Sequence, residues 1–121
     1  MSYKQNQSEF SKEASTKSES FKFLAFKLNV ESEEFEELVL SNDDKVENLL
    51  DHDEILLFVD NKNCRVWIWE GGKTSSRMKF ISAEAAHNIR DQYAIDYNIT
   101  TIDDGDEPIE FRMIMGLDLE K

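Results

Sequence analysis

The sequence contains one cysteine, one proline and four glycines among its 121 residues. The single thiol, Cys64, excludes an internal disulfide. No arrangement of His, Asn or Asp beside it suggests nucleophilic catalysis, and we expect Cys64 to be an inert thiol buried in a strand. The lack of a disulfide framework therefore favours a reduced, cytoplasmic protein.

Long apolar runs and an excess of positive charge are also missing. The N-terminus has no apolar stretch of the signal-peptide type, and no segment approaches the length needed to cross a membrane. Lysine and arginine number 14 against 26 aspartates and glutamates, which gives a formal net charge of -12. That balance repels polyanions, so it excludes nucleic acid and an anionic membrane surface as partners.

What the sequence does contain is enough apolar material for one modest core. Hydrophobic residues make up 40% and aromatic residues 11% of a chain whose length is typical of one domain. Residues 1–20 are polar and rich in serine, which predicts a disordered N-terminal tail ahead of a domain over residues 21–118. A short docking stripe formed by Tyr3, Phe10 and Ala14 is the alternative for that tail.

Apolar runs bounded by turn residues predict five strands. They cover residues 21–30, 33–41, 54–60, 64–70 and 96–103. The acidic content of residues 33–41 lowers their strand propensity, and a helical turn competes there. The third and fourth runs are joined by Asn-Lys-Asn at residues 61–63, which predicts a hairpin at the centre of the sheet.

The apolar period changes after residue 74 and predicts a long amphipathic helix over residues 75–93. Its expected core positions are Met78, Ile81, Ala85, Ile89 and Tyr93, and its candidate N-caps are Thr74, Ser75 and Ser76. Pro108 and Gly116 bracket a short closing helix. This order predicts an α+β fold in which one central mixed sheet of about five strands lies between one long and one short helix.

Both tryptophans of the chain lie in one short stretch, RVWIWEGGK. Residues i and i+2 of a strand point to the same face, so Trp67 and Trp69 should lie side by side. The aliphatic residues that alternate with them should take the other face. Gly71 and Gly72 then end the strand, since glycine adopts turn geometries that other residues resist.

Several landmarks, taken in order and spacing, resemble the gelsolin/villin-type domain, which is built on the fold shared with cofilins. They are the acidic turn and strand DHDEILLFVD, the aromatic strand RVWIWEGG, the Ala-rich helix FISAEAAHNI and the closing segment IDDGDEPIEFRMIMG. FKFLAFKLN suits the opening strand. The resemblance covers about residues 21–118 and implies a gelsolin-like fold for them.

The resemblance implies actin, or an actin-like protein, as the partner. In the family the long helix lies in the cleft between two actin subdomains, and an apolar stripe beside its core face makes the contact. With Ile89 as a core position, that stripe corresponds to Phe80, Ala83, Glu84 and His87. Phe80 would be the anchor. The alternative is that Phe80 folds back onto the sheet.

The resemblance also implies calcium (Ca2+). The family site uses an aspartate before the third strand, a glutamate early in the long helix and backbone carbonyls, and calcium prefers several hard oxygen ligands. Asp53 stands at the position of the family aspartate with Asp51 nearby, so these two are the candidate ligands. The helix glutamate should fall near Arg77 and Met78, and neither side chain donates an oxygen. This departure argues against a family-type site.

Other acidic and histidine residues predict no site of their own. The run DDGDE at residues 103–107 lacks the spacing of a calcium loop and is interpreted as a charged, solvated turn. His52 and His87 form no recognisable metal set with Cys64. Nothing in the sequence places two carboxylates in a cleft, so no acid and base pair indicates an enzyme.

The function expected from these arguments is that of a non-enzymatic actin-binding protein. One domain with one actin-facing helix would bind a monomer or cap a filament end, because severing usually needs a second filament-binding unit. The alternative is a gelsolin-type interaction or scaffold module without affinity for actin, including a homodimeric one. The polar side chains of Glu84 and His87 on the expected contact face favour that alternative.

Overall fold

The computed structural model describes residues 23–41 and 44–117. The predicted tail and its docking stripe lie outside the described residues. Within them, the strands are β1 (Phe23–Asn29), β2 (Glu34–Glu37), β3 (Ile55–Asp60), β4 (Arg65–Glu70) and β5 (Asn98–Asp103). The helices are α1 (Ser76–Tyr93) and α2 (Ile109–Met115), with a turn of 3-10 helix at Val46–Asn48.

The strands form one mixed sheet in the order β2-β1-β3-β4-β5. β1 pairs antiparallel with β2 and β3, β3 pairs antiparallel with β4, and β5 lies parallel to β4. Parallel strands need a long crossover connection, and α1 supplies it. The predicted central hairpin is confirmed, since every residue of β3 is buried, as in a strand covered on both faces.

Different helices cover the two faces of the sheet. The core on the α1 side contains Leu57, Val66, Ile68, Ile81, Ala85 and Ile89. The core on the α2 side contains Phe58, Trp67, Trp69, Phe111 and Met115. Alternation along the strands produces this division, because neighbouring side chains point to opposite faces. The predicted α+β arrangement is therefore confirmed, with the two tryptophans side by side under α2.

Local chemistry sets the ends of both helices. Ser75 is the N-cap of α1, and its hydroxyl accepts a hydrogen bond of 3.1 Å from the amide of Met78. Pro108 immediately precedes α2. Gly116 follows α2 with a φ of 73°, a left-handed conformation that glycine adopts without a Cβ penalty.

The second strand is shorter than predicted. It ends at Glu37 instead of reaching residue 41. Leu38 and Leu40 pack against the core on the α2 side, whereas Val39 between them is 96% exposed. Burial of these two leucines therefore takes the chain away from the sheet edge.

The prediction for Cys64 is wrong. The thiol is exposed rather than buried, and the residue lies in the turn between β3 and β4 rather than in a strand. Its φ of 53° belongs to the left-handed region, which the turn requires and an extended strand does not allow.

Gly71 and Gly72 follow the end of β4 at Glu70 as predicted, but the physical reason differs from the predicted one. Neither Gly71 nor Gly72 has a positive φ; among the described glycines, Gly105 and Gly116 do. A Cβ on Gly71 would lie 2.4 Å from the backbone oxygen of His52. The missing side chain therefore permits two backbone segments to touch, which is a matter of space rather than of turn geometry.

Candidate functional site

The predicted contact face of α1 is exposed to solvent. Phe80 is 68% exposed, and Ala83, Glu84 and His87 are exposed as well. Ile89, the expected core position, is buried. Phe80 does not fold back onto the sheet, so that alternative is wrong. The role of the four exposed residues in binding stays a prediction.

Helix geometry explains why these four residues lie together. Positions i, i+3, i+4 and i+7 share one side of an α-helix, and here that side points away from the buried residues of α1. We call Phe80, Ala83, Glu84 and His87 the outer face of α1. It combines one large ring and one methyl group with two polar side chains, so it offers an apolar anchor beside a polar rim.

An ion pair connects the start of α1 to the sheet edge. A guanidinium nitrogen of Arg77 lies 3.7 Å from a carboxylate oxygen of Glu33, in the turn between β1 and β2. Both side chains are exposed, so the pair contributes little to stability. It places a cation one helical turn before Phe80, at the end of the outer face.

The sequence reasoning missed a second exposed apolar pair, on α2. Ile109 is 57% exposed and Met113 is 63% exposed. They are one turn apart, and Phe111 and Met115 of the same helix are buried against the sheet. The i, i+4 spacing of the two apolar residues was the available signal. This pair is distant from the outer face of α1, because the two helices cover opposite faces of the sheet.

A shallow cavity of about 300 Å³ lies beside the start of β4 and the start of α2. Its lining includes Arg65, Trp67, Thr100 and Glu110. The guanidinium of Arg65 lies 5.1 Å from the ring centroid of Trp67 and donates a hydrogen bond of 3.0 Å to Thr100 Oγ1. These contacts hold the guanidinium of Arg65 in the cavity wall. The lining residues include no nucleophile next to a base, so they do not indicate catalysis.

Three loops meet near the N-terminal end of α1, and we call their meeting point the loop junction. It is formed by residues 51–54, 71–73 and 103–105. The Lys73 amide donates a hydrogen bond of 2.8 Å to the His52 carbonyl, and the Gly71 amide donates one of 2.9 Å to the Glu54 carbonyl. The loops before β3 and after β4 are thereby joined through their backbones.

Asp104 attaches the third loop to the other two. Its Oδ2 accepts a hydrogen bond of 2.8 Å from the Gly72 amide and contacts Nδ1 of His52. The hydrogen bond to Asp104, and then the negative charge of that carboxylate, raise the pKa of His52 above its ordinary value of 6.5. No local signal could have indicated this contact, since the two residues are 52 positions apart.

The interpretation of residues 103–107 as a solvated turn is wrong for two of its carboxylates. The Asp104 side chain is only 14% exposed. Glu107 Oε2 accepts a hydrogen bond of 2.8 Å from the indole nitrogen of Trp69. The acidic turn therefore supplies an acceptor to the loop junction through Asp104. Through Glu107 it supplies another to the buried indole of Trp69, whose N–H needs a partner where water is excluded.

The residues present do not fit the implied calcium site. Asp51 Oδ1 accepts a hydrogen bond of 2.8 Å from the Asp53 amide, and both aspartates are exposed. Within residues 23–41 and 44–117, no three His, Cys, Asp or Glu side chains converge as a metal site requires. Arg77 lies in the first turn of α1, near the position where the resemblance implies a glutamate.

Comparison with known proteins addresses the fold. No protein-family model and no curated protein matches the sequence. The crystal structure of the Thorarchaeota ProGel/rabbit actin complex matches with a TM-score of 0.66 and 22% identity, over 78% of this chain and 99% of ProGel. The fold is that of a gelsolin-like domain.

A second crystal structure, the Thorarchaeota 2DGel3/rabbit actin complex, matches this gelsolin-like domain with a TM-score of 0.60 and 23% identity. The match covers 82% of this chain and 47% of 2DGel3, so the gelsolin-like domain spans about half of that protein. The predicted gelsolin-like fold is confirmed. The two TM-scores establish a shared fold, and actin is the partner of ProGel and 2DGel3 in their crystals. In the described part of the gelsolin-like domain, no helix is both long and apolar enough to cross a membrane.

Proposed function

We propose that this gelsolin-like domain binds actin through the outer face of α1 and has no enzymatic activity. The observation that carries the proposal is the exposure of Phe80 on the long helix of this fold. Support comes from ProGel and 2DGel3, which share the fold and were crystallised with rabbit actin. Since actin assembles in the cytoplasm, we expect the protein to act there.

The contact would be of the helix-in-groove type. A helix that enters a groove is held by apolar side chains at helical spacing, and a large ring in a dry pocket usually supplies most of the affinity. Phe80 provides that ring, and the small side chain of Ala83 lets the helix approach a partner closely. Glu84 and His87 extend the same stripe toward the end of the helix and would lie at the polar rim.

The mechanism would be steric. A single helix bound in a cleft of actin would occupy the surface that the next subunit needs. The domain would therefore keep a bound monomer from adding to a filament, or would cap a filament end. Severing requires contact with a second subunit as well. The described residues offer one outer face on α1, so binding or capping is the activity that we propose.

The experiment mixes the full chain with rabbit muscle actin. Gel filtration with monomeric actin should show a complex that elutes ahead of both proteins. Pyrene-labelled actin should assemble more slowly, or to a lower extent, as the chain is added. Separate elution at concentrations of tens of micromolar, together with unchanged assembly, would reject the proposal.

The second candidate is an interaction module that does not bind actin. The exposed pair Ile109 and Met113 favours it, because two neighbouring apolar side chains on α2 offer a contact unrelated to the outer face of α1. Sedimentation of the chain alone tests the homodimeric form of this candidate. A concentration-dependent dimer that Met113→Ser abolishes, without any binding to actin, would favour it over the first proposal.

A further inference from the structure

The loop junction is closed by groups that belong to the chain itself. Asp104 Oδ2 already has two partners, the Gly72 amide at 2.8 Å and His52 Nδ1. The Asp104 amide adds a hydrogen bond of 3.0 Å to the carbonyl of Glu70 at the end of β4. The loop after β5 is therefore joined to the two others by side-chain and backbone bonds at once.

The same groups leave a cation few oxygens. Calcium takes six to eight oxygen ligands, some of them from carboxylates held rigidly. Here Asp51 Oδ1 accepts a hydrogen bond from the Asp53 amide, and the His52 carbonyl accepts one from the Lys73 amide. Among the described residues, no three His, Cys, Asp or Glu side chains converge on a point in the junction. The charge of Lys73 acts on His52 in the junction and opposes the binding of a divalent cation. Arg77 forms an ion pair with Glu33, and the first turn of α1 contains no acidic residue that could supply the implied carboxylate.

We propose that the contact of His52 with Asp104 and Gly72 closes the loop junction without calcium, so that the outer face of α1 binds its partner independently of calcium. The second half of this proposal rests on the proposed function, whereas the first half concerns the chain alone. Only one residue separates Lys73 of the loop junction from Ser75, the N-cap of α1, so a junction that needs no cation leaves the position of the helix insensitive to calcium.

The first test uses the full chain, calcium chloride and a chelator. Calorimetric titration should show no saturable heat, and the unfolding temperature should be equal in calcium and in chelator. If the junction bound calcium, a calcium concentration of about 100 times the Kd would raise the unfolding temperature by roughly 10 °C or more, so the assay is sensitive. Saturable binding that Asp51→Asn, Asp53→Asn or Asp104→Asn abolishes would overturn the proposal. Binding that persists in all three variants does not use the carboxylates of Asp51, Asp53 and Asp104 and leaves the junction calcium-free, as proposed.

The second test asks whether His52 and Asp104 act together. In chelator, His52→Ala and Asp104→Ala should each lower the unfolding temperature. In the double variant the unfolding temperature should fall by clearly less than the sum of the two single decreases, as expected of residues in contact. His87→Ala is the matched control, an exposed histidine on α1 that should leave the temperature unchanged. Additive losses would show that the two side chains do not act as a unit and would overturn the closing role.

The third test addresses the partner. Affinity for magnesium-loaded actin should agree within about twofold in calcium and in chelator, and a tenfold or larger gain in calcium, about 1.4 kcal/mol, would overturn the proposal. If actin binds in neither condition, the proposed function fails, and the calorimetric titration of the chain alone still decides whether the junction takes calcium.

Discussion

The indole nitrogen of Trp67 donates a hydrogen bond of 3.0 Å to the carboxylate of Asp60, which is fully buried. The same carboxylate accepts hydrogen bonds from the side chain of Asn63, at 2.8 Å, and from the amides of Lys62 and Asn63, at 3.1 Å each. One buried acidic residue thus links the β3–β4 turn to the aromatic core under α2.

We predict that Asp60→Ala destabilises the protein. The substitution leaves the buried N–H of Trp67 without an acceptor and releases the turn, at a cost of about 1 to 3 kcal/mol in the free energy of unfolding. Urea unfolding followed by tryptophan fluorescence measures the loss. The exposed Asp53→Ala serves as the control and should change stability little. Equal stabilities of the two variants would contradict this account of Asp60.

Gly71→Ala should be destabilising because its Cβ would lie 2.4 Å from the oxygen of His52, which is backbone and cannot rotate away. Relief of the overlap requires a shift of the loop junction, and overpacking of this kind costs about 1 to 3 kcal/mol. Thermal unfolding provides the measurement. Gly72→Ala makes the matched comparison, since its Cβ would meet a side-chain oxygen of Asp104 at 3.2 Å. A larger loss in Gly72→Ala than in Gly71→Ala would refute the explanation.

The contact between His52 and Asp104 predicts a pH dependence of stability. Asp104 raises the pKa of His52 in the folded state above the ordinary value of 6.5. A raised pKa means that the folded state binds the proton more tightly than the unfolded state does. The stabilisation is therefore fully present below pH 6.5 and is lost as the pH rises through the raised folded-state pKa.

Denaturation midpoints measured for the wild type and for His52→Gln across this range test that prediction. The difference between the two proteins should be largest at acidic pH and should shrink as the pH rises. A histidine titration by NMR should show a higher pKa for His52 in the wild type than in Asp104→Asn. A difference in stability that grows toward alkaline pH would have the wrong sign and would contradict the prediction.

Phe80→Ala should weaken binding to actin by about 1 to 4 kcal/mol if the ring is the anchor of the interface. The fold should be unaffected, because the ring is 68% exposed. Co-sedimentation or pyrene assembly gives the affinity. Ile109→Ala is the matched control, an exposed apolar residue on the opposite side of the sheet, and should bind as the wild type does. Equal affinities of Phe80→Ala and the wild type would remove Phe80 from the interface.

Most of the fold could be predicted because its signals are local. The two-residue alternation that separates Trp67 from Ile68 assigns them to opposite faces of the sheet whatever the rest of the chain does. The spacing of Ile81, Ala85 and Ile89 likewise assigns one side of α1 to the core. The resemblance to the gelsolin/villin-type domain implied a contact on the neighbouring face, and the structure shows that the outer face of α1 is exposed.

Two kinds of prediction failed. The exposure of Cys64 follows from the left-handed backbone of a local turn where the sequence pattern predicts a strand. The need for Gly71 depends instead on the approach of a distant residue, His52. The acidic turn looked solvated because nothing near Asp104 in the sequence offers it a donor. Contacts of this kind join residues that only the folded backbone brings together.

By itself, then, the amino-acid order determined the periodicity of the strands and of α1 and the ends of the helices, since each of these depends on residues within a few positions of one another. The tertiary structure alone decided the loop junction. His52 and Asp104 are 52 positions apart. They meet because β3, β4 and β5 are adjacent in one sheet, so that the loops at one end of these three strands come within bonding distance.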